Sequence, residues 1–154
     1  MLHCGLHAIN AILLKIKKVP YTSIELDHIT HEVHRRETQL CPQAKDTVPQ
    51  QEGNYPLESL LVALRRQNLC AIFEKARSLD RGGHIIIPKN VVGFLLGTGN
   101  HYLAIVRTRP KERAASHWEL VDNGNVIGDP HASPFTIIQD LQPVAVLRVI
   151  SCPL

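Results

Sequence analysis

C-G-L-H-A-I-N-A-I-L-L-K-I-K, residues 4–17, spaces Leu6, Ile9, Ile12, Leu13 and Ile16 at intervals of three and four. That is the period of an amphipathic helix, so a helix with one apolar stripe is expected from Cys4 to Lys17. Cys4 falls in its first turn. There the positive end of the helix stabilises a thiolate and turns an ordinary cysteine into a candidate nucleophile. Gly5 leaves the adjacent backbone uncrowded where a substrate carbonyl would approach. A buried structural cysteine at a helix start is the competing explanation.

Two further helices are expected downstream. The segment T-S-I-E-L-D-H-I-T-H-E-V-H-R-R-E (22–37) carries a Thr or Ser cap, an acidic first turn and apolar Ile24, Leu26, Ile29 and Val33, which predicts a helix over about 23–37. Residues 38–55, with Pro42, Pro49, Gly53 and Asn54, read as irregular and as a candidate mobile arm. Pro56 suits the first position of a helix reaching about Gln67, with Leu57, Leu60, Leu61 and Leu64 on one side. Beyond Asn68 the pattern changes to short β-branched and aromatic runs near 69–74, 91–97, 101–107, 117–122 and 144–150, with one short helix over Pro134–Leu141. Helices first and strands later predict an α+β domain on an antiparallel sheet.

The 154 residues are 44% hydrophobic and 20% charged, which fits one domain spanning 1–154. A net charge of +3 with scattered basic residues, apart from Lys15, Lys17 and Lys18, gives nucleic-acid binding little support. No apolar run approaches the roughly 20 residues of a membrane-crossing helix, and a secretory leader pattern is not evident. The four cysteines, Cys4, Cys41, Cys70 and Cys152, form no C-x-x-C pair. A domain of this size can stand without covalent staples, so the expectation is a reducing, intracellular compartment, cytoplasmic or nuclear.

A nucleophilic thiol needs a base. L-G-T-G-N-H-Y-L-A-I-V-R (96–107) supplies His101 at the mouth of a strand, after a glycine-bracketed turn. Alternation sets His101, Leu103 and Ile105 on one face and Tyr102, Ala104 and Val106 on the other, and the imidazole is expected to point from the sheet edge toward the helix bearing Cys4. S-H-W-E-L-V-D-N (116–123) supplies the third member: Trp118, Leu120 and Asp122 share a face, and a carboxylate at the strand end can orient the imidazole. Asn123 and Asn125 compete for that role, but Asn123 should face away from Trp118 and Asn125 lies in the N-G-N turn.

Other groupings carry less. His28, His31 and His34 recur at three-residue steps yet lack evident companions for a metal, so a solvated stripe is expected. Cys4 and His7 form half a zinc pattern without its second half. Gly97 and Gly99 lead into a strand and lack the downstream lysine of a phosphate loop. No metal or other cofactor is expected.

C-G-L-H-A-I-N-A-I-L-L resembles the nucleophile helix of the Josephin family of deubiquitinating enzymes, with its Cys-x-x-His-x-x-Asn pattern. Y-T-S-I-E-L-D-H-I-T-H-E-V (21–33) is similar to that family's second helix, and E-G-N-Y (52–55) to the motif after its helical arm. G-N-H-Y-L-A-I-V-R and W-E-L-V-D are similar to its base and orienter strands. The resemblance covers nearly the whole chain in order. It implies a papain-like Josephin-type domain, with an N-terminal nucleophile helix and a helical arm packed on an antiparallel sheet. It also implies Cys4 as nucleophile, His101 as general base and Asp122 as orienter, in a monomer acting on ubiquitin or a ubiquitin-like protein and its conjugates.

The chain departs from the family at one point: the oxyanion-stabilising Gln that precedes the family's Cys has no counterpart among Met1, Leu2 and His3. Either an upstream segment is missing, or the Cys4 backbone N–H acts with a substitute donor; losing one such donor lowers turnover about 100- to 1,000-fold. Two other outcomes fit the same residues: a weakly active or inactive ubiquitin-binding module, and a papain-type processing protease with another substrate.

Overall fold

The computed structural model describes residues 3–40, 55–74, 87–108 and 117–152. The described chain runs α1 (Cys4–Lys15), α2 (Ser23–Leu40), α3 (Leu57–Arg66), β1 (Leu69–Phe73), β2 (Val91–Thr98), β3 (His101–Thr108), β4 (His117–Asp122), β5 (Asn125–His131), α4 (Pro134–Leu141) and β6 (Ala145–Ser151). This is an α+β arrangement of four helices packed on a six-stranded antiparallel sheet in the order β1-β6-β2-β3-β4-β5.

Local chemistry accounts for the helix ends. Thr22 and Glu25 exchange bonds, Glu25 N–H to Thr22 Oγ1 at 3.2 Å and Thr22 N–H to Glu25 Oε1 at 3.0 Å, a capping box that starts α2. The helix continues to Leu40, past the expected end, so the irregular stretch loses residues 38–40; of the rest, Tyr55 is buried and 41–54 lie outside the described residues. Pro56 is the N-cap of α3, one place earlier than the sequence placed it. α4 has the bounds that the sequence predicts, and Ser133 caps it by accepting a bond from the Phe135 N–H at 3.2 Å, with Pro134 in the first position.

One strand was not expected. Asn123 (φ 49°) and Gly124 (φ 84°) form a two-residue turn with both centres left-handed, and Asn125 begins β5. Such an Asn-Gly turn joins strands whose twist matches its own, so the second strand follows from the turn. Its residues, N-V-I-G-D-P-H, are almost all exposed and contain Gly and Pro, which hides it from a search for apolar alternation.

The sheet separates two apolar layers. On one face, Ile9, Ile12 and Leu13 of α1, Leu26 and Ile29 of α2, and Leu60 and Leu64 of α3 pack on Leu95, Ala104, Val106 and Val121. On the other, Ile137 and Ile138 of α4 pack on Phe94, Leu103, Ile105 and Trp118. The rings of Phe94 and Trp118 lie 5.6 Å apart and tilted, and the Arg107 guanidinium stands 5.1 Å above the Trp118 ring.

Asn10 ties the first two helices together. Its Nδ2 donates to Tyr21 O and its Oδ1 accepts from Tyr21 N–H, both at 2.8 Å, while the Tyr21 hydroxyl donates to Ala63 O of α3 at 2.7 Å. One side chain thus satisfies both backbone groups of a residue between helices, and that residue reaches the third. Asn10→Ala leaves two part-buried backbone groups without partners and should destabilise the fold by about 2 kcal/mol in urea denaturation.

Cys70 and Cys152 form a disulfide with Cα atoms 5.6 Å apart, across 82 positions of sequence. This corrects the expectation of a domain without staples, and with it the argument from cysteine spacing to a reducing compartment. The cause is topological. β6 pairs with β1 in the register Leu69↔Ser151 and Cys70↔Ile150, which brings the residue after β6 alongside the start of β1.

Candidate active site

Cys4 is the first residue of α1, buried at 6% exposure and free of a disulfide. The preceding residue, His3, has a left-handed backbone (φ 70°) and makes no side-chain cap bond; the first intrahelical bond runs from His7 N–H to His3 O at 2.9 Å. The N–H groups of Cys4, Gly5 and Leu6 therefore have no intrahelical acceptor, and their dipoles favour negative charge at this helix end.

His101 is the first residue of β3 and Asp122 the last of β4. Ala104 faces Val121 across the ladder, so one step further along sets Asp122 beside Leu103 and diagonal to His101 on the same face. The two side chains meet, His101 Nε2 to Asp122 Oδ1 at 2.6 Å. A carboxylate only accepts, so Nε2 carries the proton and the Nδ1 lone pair is left as the basic atom.

The strand periodicity of His101, Leu103 and Ile105 holds, but it leads to the opposite layer from the one expected. Leu103 and Ile105 pack against α4, whereas α1 covers Ala104 and Val106, with Tyr102 on that same side. The imidazole does not approach α1 across the face of the sheet. Among the described residues no hydrogen bond joins the Cys4 thiol to His101.

Gly5 has a packing role that the sequence did not reveal. A Cβ there would lie 3.1 Å from both methyls of the fully buried Leu60 and 3.5 Å from Tyr102 Cδ2. The missing side chain lets α3 and β3 close on the first turn of α1, which fixes the residue next to Cys4. Tyr102 carries a perturbed phenol: burial first, then the negative charges of Cys4 and Glu58, raise its pKa above the ordinary tyrosine value. Nothing in the spacing marked Tyr102, because alternation assigned it to the face away from the base.

The remaining candidates take other places. His7 is exposed beside the β4–β5 turn, its Nδ1 4.0 Å from where a Gly124 Cβ would stand. His28 and His31 are exposed on α2 and line a cleft with Glu32, Arg35 and Arg66. There Arg66 pairs with Glu32 and, by hydrogen bond and charge, holds its carboxyl below the usual range. Among the described residues no group of three or more His, Cys, Asp or Glu could hold a metal ion, and no helix is long and apolar enough to cross a membrane. The second Asn competitor, Asn125, opens β5 on the far side of the turn from Asp122, and Asn123 lies within the turn. The sequence matches no protein-family model, and a search of curated proteins gives no match either.

Proposed function

We propose that this chain is a papain-like cysteine protease of the Josephin type that hydrolyses peptide and isopeptide bonds at the C-terminus of ubiquitin or a ubiquitin-like protein. The carrying observation is the His101–Asp122 pair, 2.6 Å apart at the end of the sheet, in a chain whose single buried free cysteine among the described residues begins α1. Asp122 holds the imidazole with Nε2 protonated, and Nδ1 takes the thiol proton. The helix end favours the thiolate that results.

Thiolate attack on the carbonyl of the C-terminal residue forms the carbon–sulfur bond. The imidazolium then protonates the departing lysine amine as the carbon–nitrogen bond breaks. A water, deprotonated by the same imidazole, hydrolyses the thioester and restores the thiol. Ubiquitin as partner rests on the family resemblance of the sequence motifs, and with it go an intracellular setting and action as a monomer.

One observation favours a second outcome, a ubiquitin-binding module with little turnover: the lack of a hydrogen bond between Cys4 and His101 among the described residues. Catalytic hydrogen bonds often tighten only when substrate binds, so the geometry is compatible with both. Incubation with ubiquitin bearing a C-terminal thiol-reactive electrophile separates them. Covalent capture that disappears in Cys4→Ala is the expected result. Tight binding without capture would point to the module, and cleavage of an unrelated glycine-containing peptide as fast as a ubiquitin conjugate would sink the deubiquitinase assignment.

A further inference from the structure

Tyr102 packs against Gly5, the residue after Cys4, on the sheet face opposite the one that His101 shares with Leu103 and Ile105. Its ring packs on the layer beneath α1 and lies against the first turn of that helix, 3.5 Å from the Cβ position of Gly5. Among the described residues the hydroxyl has no hydrogen-bond partner, and it is not among the sealed, unsatisfied polar atoms, so it remains open to a bound molecule. A tyrosine phenol is protonated at neutral pH, and burial with the nearby Cys4 and Glu58 charges raises its pKa further. A fixed ring, an uncommitted O–H and a thiol close by are the elements of a preorganised donor.

The neighbour on the other side of Cys4 is a poorer candidate. His3 Nδ1 is buried without a partner, and an atom sealed from solvent is equally sealed from a substrate oxygen.

We infer that Tyr102 is a catalytic residue whose hydroxyl donates a hydrogen bond to the oxyanion formed when Cys4 attacks a substrate carbonyl, together with the N–H groups at the start of α1. As the sulfur–carbon bond forms, the carbonyl π pair moves onto oxygen, and the Tyr102 O–H and the helix N–H groups stabilise that charge. When the intermediate collapses, the pair returns to the carbonyl, the bond to the leaving group breaks, and the leaving group takes its proton from His101. Tyr102 keeps its own proton throughout. The inference rests on Cys4 as an acyl-accepting nucleophile and not on ubiquitin as the substrate.

Two small reagents isolate the effect in the full chain. p-Nitrophenyl acetate acylates a thiol through an oxyanion, whereas iodoacetamide alkylates it by displacement at a saturated carbon and forms none. Rates at Cys4 are taken as the difference from Cys4→Ala, which removes the contribution of the other cysteines. Tyr102→Phe keeps the ring against Gly5 and removes only the hydroxyl. Acylation should slow by about 100-fold while alkylation and the melting temperature stay unchanged. Equal slowing of both reactions, or slowing of neither, would overturn the donor role. A wild-type Cys4 that the ester does not acylate would overturn both this inference and the nucleophile assignment. Normal acylation with no capture by the ubiquitin probe would remove ubiquitin alone and leave Tyr102 in place.

Discussion

His101→Ala should lower turnover of a ubiquitin conjugate by about 10,000-fold, the upper range for loss of a positioned general acid–base. In the proposed mechanism the imidazole has two duties at one atom, accepting the thiol proton at Nδ1 and returning it from there to the amine, and no other described histidine bonds to Asp122. Asp122→Ala should cost less, because the base survives but loses the partner that holds its tautomer. Asp122→Asn should cost least of the three: the amide oxygen can still accept from Nε2–H, although the charge that stabilises the imidazolium is gone. Steady-state kinetics on the three variants checks the order. If Asp122→Asn proved worse than Asp122→Ala, the amide would be holding the imidazole in the wrong tautomer. A fully active His101→Ala would remove the triad altogether.

Gly93→Ala should be the most damaging small substitution in the sheet, lowering stability by about 3 kcal/mol in urea denaturation, at the upper end for overpacking. A Cβ at Gly93 would stand 2.6 Å from the backbone carbonyl oxygen of Ile105 and 3.2 Å from Ile12 Cγ1. The carbonyl belongs to β3, which pairs with β2 from Gly93↔Val106 to Thr98↔His101, and Ile12 is fully buried on α1. Relief therefore requires moving either the strand that begins with His101 or the helix that begins with Cys4. Gly97→Ala on the same strand is the control. Its Cβ would meet Ala145 Cβ at 3.6 Å, an ordinary contact, and its stability should be close to that of the parent. Similar losses in the two variants would mean that the cost comes from the strand's general intolerance of side chains and not from the Ile105 carbonyl.

The two halves of the site differ in how far local pattern reveals them. Cys4 at a helix start and Asp122 at a strand end follow from periodicities of 3.6 and 2, which depend only on residues a few places away. The His101–Asp122 pairing spans 21 positions and follows from β3 and β4 being consecutive strands that pair antiparallel. Which layer each face meets is another matter. Alternation sorts His101 from Tyr102, but says nothing of whether α1 or α4 covers the side that His101 shares. The sequence set the imidazole toward α1; tertiary packing gave that position to Tyr102.

By itself, then, the sequence determined the α+β class, the three early helices and the short late one, five of the six strands, and the candidate residues Cys4, His101 and Asp122. Each is encoded by neighbouring residues, through apolar spacing, caps and turn formers. Only the tertiary structure decided that β6 enters between β1 and β2, that Cys70 consequently reaches Cys152, and that Leu60 and Tyr102 close on Gly5. Those contacts join residues tens of positions apart. They are set by how two apolar layers share one twisted sheet, a condition on the whole chain that no short window contains.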